Sequence, residues 1–88
     1  MTARVTANMW EVVAAPGKSD ALVDWVYTRA LPELAQQSAL ERSEVFLGSG
    51  DRVVVITLWR GEPMALSDPP GEYVARPAMS WDFEQVAR

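Results

Sequence analysis

The chain has 88 residues, a formal net charge of −4, and neither cysteine nor histidine. That is room for one domain, 1–88. It removes disulfides, thiolate chemistry and the commonest zinc and haem ligand from consideration. The eight basic residues are scattered rather than clustered, so no nucleic-acid footprint is expected. No apolar run approaches the roughly 20 residues of a membrane helix. The stretch Met1–Asn8 has one arginine and no apolar core, so no export signal is expected and the cytoplasm is the default location.

Residues 1–7 read as a short polar, flexible lead. Residues 8–15, Asn-Met-Trp-Glu-Val-Val-Ala-Ala, read as a first strand that is apolar on both faces. Pro16-Gly17-Lys18 ends it. Ser19 stands where a helix N-cap belongs, with Asp20 in the first turn. The helix that follows, 19–30, has a polar row at Asp20, Asp24 and Thr28 and a wide apolar face. Pro32 predicts a break or kink, with Pro32–Gln36 as a second short turn that has proline at its first position.

Residues 40–47 and 52–59 read as two strands joined by Gly48-Ser49-Gly50-Asp51. Arg52-Val-Val-Val-Ile-Thr-Leu-Trp59 is the strongest strand signal in the chain. Residues 60–80 contain four prolines and two glycines, with short helical pieces expected at Pro63–Leu66 and Pro70–Ala75. Residues 81–87 alternate and read as a last strand.

This order of elements predicts an α+β domain of the ferredoxin-like, split βαβ kind with an antiparallel sheet. Neither face of the central strand is polar. One face would lie wet in a monomer, which predicts a second copy as partner. The four tryptophans, Trp10, Trp25, Trp59 and Trp81, are spread over four segments. They read first as core and dimer anchors and second as pocket walls.

The segments Asn8-Met9-Trp10-Glu11-Val12, Pro16-Gly17-Lys18 and Val53 to Trp59 resemble the dimeric α/β-barrel superfamily. Within it, the resemblance is to the antibiotic-biosynthesis-monooxygenase (ABM)-like domains. It covers nearly the whole chain in element order. Residues 60–80 depart from it, because the family usually carries one continuous helix there. The resemblance implies a homodimeric barrel and a cofactor-independent oxygenase acting on a hydrophobic aromatic small molecule. Asn8 and Trp59 match the positions of an Asn and a Trp in a haem-degrading branch. The axial histidine of that branch has no counterpart, and Tyr73 would be the substitute donor. No metal site and no cofactor are expected.

Each candidate residue has a competing role. Asn8 orients a substrate oxygen, or makes a cap contact at the strand edge. Trp59 walls a pocket, or packs the core or dimer. Glu11 serves as a base in an apolar setting, or faces solvent or an arginine across the strand. Tyr73 and Arg76, three apart, hold an anionic or phenolic ligand if their segment is helical. Pro16-Gly17-Lys18-Ser19 lacks the earlier glycine of a phosphate loop. Arg60-Gly61-Glu62 reads as a solvated turn. The other function class is a non-catalytic small-molecule-binding or dimerisation module of the same fold.

Overall fold

A computed structural model describes residues 4–86. Four strands, β1 (Val5–Val13), β2 (Leu40–Gly48), β3 (Arg52–Arg60) and β4 (Met79–Glu84), form one sheet in the order β2-β3-β1-β4. Every neighbouring pair is antiparallel. Helical chain between β1 and β2 covers one face. The result is a small α+β fold with two layers, and among the described residues no helix is long and apolar enough to cross a membrane.

β1 and β3 are the central strands, and their side chains alternate between buried and half-buried along their length. The buried apolar set is Trp10, Val12 and Ala14 from β1 and its end, and Val53, Val55 and Trp59 from β3. The expected polar lead is shorter than its sequence suggested. Residues 1–3 lie outside the described set, but Val5 to Ala7 are already strand, with Thr6 buried opposite Trp59.

The helical layer corrects one expectation and refines another. Ser19 is the first helical residue rather than the cap; its hydroxyl donates to Asp51 Oδ1 at 2.9 Å. At Pro32 the chain does not break, but it does carry the expected irregularity and the expected second short turn with proline near its start. An α-helix, α1 (Ser19–Trp25), runs into a π-helical turn (Val26–Ala30) and directly into a second short helix, α2 (Leu31–Leu34). Pro32 has no N–H to give the ladder. The register shift falls just before it, where Leu31 N–H bonds to Val26 O, five residues back. This shift has a packing consequence. Leu22, Val26, Ala30 and Leu34, one every four residues, are all buried. On a helix of about 3.6 residues per turn such a stripe drifts steadily around the cylinder. The wider π turn takes out part of that drift and keeps the stripe on the sheet.

The β2–β3 turn places Gly50 (φ 70°) and Asp51 (φ 61°) in consecutive left-handed conformations. Glycine adopts this freely and aspartate tolerates it. Asp51 O accepts from Ala14 N–H at 2.8 Å. The turn is therefore fastened to the end of β1.

Between β3 and β4 the expected helical pieces are nearly absent. Residues 63–70 have no regular structure, and only a 3-10 turn (Gly71–Tyr73) forms. Four prolines interrupt the donors that a helix needs. The connector instead contributes Leu66, which is 5% exposed and belongs to the core. It is also pinned to β1: Ala15 N–H bonds to Tyr73 O at 2.9 Å, Ala75 N–H bonds to Val13 O at 2.8 Å, and Val74 bridges Ala14. The last strand starts two residues earlier than its alternation suggested and ends at Glu84.

Candidate functional site

Strand register sorts the side chains into rows that cross the sheet. On the helix-covered face, Val45, Val55, Trp10 and Ser80 form one row, and Leu40, Trp59, Thr6 and Glu84 form another. Between them lies a wholly polar row, Ser43, Thr57, Asn8 and Asp82. The buried members of such a row require partners, because a buried polar group without one costs about 1–3 kcal/mol.

Most of that row is satisfied. Trp59 Nε1–H donates to Thr57 Oγ1 at 2.7 Å, and both residues are buried. Asn8 is 1% exposed. Its Nδ2 donates to Asp82 Oδ1 at 2.9 Å and to the Trp81 carbonyl at 3.5 Å. Its other arm is the exception: Oδ1 is buried and has no donor among the described residues.

At the β4 side the row opens. Helix does not reach this part of the sheet, and Ser80, Asp82 and Glu84 are exposed. A cavity of about 310 Å³ lies there, with Arg4, Thr6, Glu62, Asp82 and Glu84 in its walls. Arg4 crosses it to Glu62 at 2.7 Å and reaches Glu84 at 4.0 Å. Thr6 Oγ1 donates to Gly61 O and fixes the floor.

The five residues singled out in the sequence fall in three places. Asn8 and Trp59 share the covered face on adjacent strands; Trp59 bonds to Thr57, which is the register partner of Asn8 but makes no hydrogen bond to it. Glu11 is an odd-numbered residue of β1 and points to the opposite face. It pairs with Arg52 across the strands. This is the structural role weighed against that of a base, and it separates Glu11 from Asn8. Tyr73 and Arg76 do not share a helix face, because the 3-10 turn ends at Tyr73. Their segment is fastened at Val13–Ala15. Six residues of strand separate Asn8 from Ala14, roughly 20 Å. Tyr73 is accordingly at the wrong end of β1 to act as an axial donor above Asn8 and Trp59, and no histidine exists. The residues present do not fit a haem held in that way.

Thr57 and Asp82 were missed. Thr57 left a trace in the sequence as the one polar residue in Val53–Trp59. Asp82 left none, because its partner is set by the β1–β4 register.

No family model matches the chain, and no curated protein matches it. Among solved structures it is similar to the crystal structure of NE2512, a protein of unknown function from Nitrosomonas europaea. The two are 13% identical with a TM-score of 0.71, over 100% of this chain and 95% of that one. At this identity the likeness extends to the fold alone.

Proposed function

We propose that the chain is a small-molecule-binding domain that works as a homodimer, on the ferredoxin-like plan of the dimeric α/β barrels and in the manner of their ABM-like members. The observation that carries the reading is the Asn8 amide. It sits buried in a polar row, with one arm fixed by Asp82 and an acceptor, Oδ1, left without a donor. A hydroxyl of an otherwise hydrophobic aromatic ligand would supply that donor, with the indole of Trp59 in the adjoining row. The cavity beside the row is lined mostly by polar and charged groups, so the hydrogen bond would set the ligand's orientation and apolar contact would contribute a minor share.

The homodimer rests on the other face of the sheet. There the rows are Phe46, Val54, Glu11 and Met79; Glu44, Ile56, Met9 and Trp81; and Arg42, Leu58, Ala7 and Phe83. Nine of these twelve are apolar, and no helix covers them. Phe46, Met79 and Phe83 are about half exposed, and Trp81 is 38% exposed. The charged members are neutralised at home, Arg42 on Glu44 at 3.4 Å and Glu11 on Arg52. Such a face suits a second apolar sheet better than water. A cysteine-free chain gains nothing from an oxidising compartment, and cytoplasmic residence belongs to the same reading.

A second reading, oxygenase activity without a cofactor, has one observation in its favour. Asp82 places a carboxylate against the Asn8 amide at the open end of the row. It is the group positioned to take a proton from a phenol or quinol held there, leaving an electron-rich anion for oxygen. Tryptophan fluorescence separates the readings. Quinols and polyketide-like aromatics should quench at micromolar concentrations in either case, and Asn8→Leu should abolish the quenching. Oxygen uptake with the quenching compounds would favour the oxygenase. Absence of quenching across the panel would remove both.

A further inference from the structure

The connector that fails to form a helix builds a cleft of its own. Residues 68–78 line a half-open cleft of about 380 Å³, with Pro69, Val74, Pro77 and Ala78 as apolar walls. Two charged residues, Asp68 and Arg76, line the same space. Among the described residues neither forms an ion pair, with each other or with any other side chain. Of the described arginines, Arg4, Arg42, Arg52 and Arg60 each have a carboxylate within reach, and Arg29 and Arg76 do not.

The cleft is also held in shape. Proline fixes its own φ and restricts the residue before it, and three of the connector's prolines fall in or beside the cleft, at 69, 70 and 77. The bonds from Ala15 to Tyr73 and from Ala75 to Val13 tie its base to β1. A wall that does not need ordering on binding saves the ligand that cost.

We propose that this cleft binds a small zwitterion, with its carboxylate on Arg76, its ammonium on Asp68 and its carbon framework against Pro69, Val74 and Pro77. An arginine fork is suited to a carboxylate and gives the stronger, charge-assisted kind of hydrogen bond. A ligand of single charge would satisfy one wall and leave the other unpaired. A zwitterion satisfies both and adds no net charge. The site lies beyond the C-terminal end of β1, roughly 20 Å along the strand from Asn8, and it stands or falls independently of the reading given for that residue.

The test is an amide NMR titration of the full chain with three zwitterions of increasing charge separation: L-leucine, γ-aminobutyrate and ε-aminocaproate. Isovalerate and isoamylamine serve as single-charge controls. At least one zwitterion should give saturable shifts confined to amides of 68–78 and their β1 partners, and should bind about tenfold or more tightly than either control. Arg76→Gln and Asp68→Asn should each reduce its binding to the level of the controls. Both residues are exposed, so the dispersed spectrum should be retained and should verify folding. The proposal is overturned if no zwitterion shifts these amides by about 20 mM. Equal binding by a control, or unchanged binding in both folded variants, overturns it as well.

Discussion

Asn8 and Asp82 face each other across β1 and β4 on the covered side of the sheet, joined by a 2.9 Å hydrogen bond from Nδ2 to Oδ1. This bond fixes which way the amide points. It turns Oδ1 away from the carboxylate and leaves it buried without a donor. The expected outcome for Asn8→Leu follows from that. Leucine matches the volume and removes the orphaned acceptor, so folding stability should hold or rise by about 1 kcal/mol, a shift of a few degrees in Tm. Ligand quenching should disappear in the same variant. Gain of stability with loss of binding is the signature of a group kept for function. A loss of several degrees would instead make Asn8 a structural residue.

Trp59 and Thr57 test the neighbouring pair. Thr57→Val strands the indole N–H in the core and should cost about 1–3 kcal/mol. Trp59→Phe removes the donor but opens space, with a cost of similar size. In the double variant the two costs should not add, because one hydrogen bond is counted in both. Urea denaturation of the four proteins measures the coupling. Simple additivity would mean that the 2.7 Å contact contributes nothing to stability.

How much of this was legible in the sequence depends on what kind of information each residue carries. Arg52 to Trp59 announced its strand through β-branching alone, and register then confirmed that it has two apolar faces. The connector misled because proline at a first helical position also begins genuine helices. At Pro63 and Pro70 no amphipathic run follows to bury. Pro32 marked the irregularity and the second short turn but not the continuity of the helical chain across it. Leu34 supplies one more buried contact beyond it, and the π turn lets the helix continue to reach that contact. The polar row was hidden for a different reason. Thr57, Asn8 and Asp82 lie on three strands, and only the pairing of those strands sets them side by side.

Leu66 offers a check on the connector. It is the one residue between β3 and the 3-10 turn that reaches the core. Leu66→Ala should cost about 2–5 kcal/mol if the connector acts as a fixed lid. Hydrogen exchange at the Tyr73 and Ala75 amides should rise in parallel. A cost under about 0.5 kcal/mol would place the connector outside the cooperative unit.

Gly61 sits at φ 110° in the turn after β3, and its N–H and carbonyl bond to Arg4 O and Thr6 Oγ1. Space for a Cβ exists there, so a Gly61→Ala penalty of about 1 kcal/mol or more should come from backbone strain alone. Thermal unfolding measures it. An unchanged midpoint would show that the turn relaxes.

Sedimentation velocity on dilute protein bears most directly on the whole reading, because an open sheet face has to be met by something. At low micromolar concentration the chain should run as a dimer, at twice 9.8 kDa. Ile56→Lys, placed in the middle of the face, should convert it to monomer. A folded wild-type species at 9.8 kDa, stable on dilution, would contradict the account.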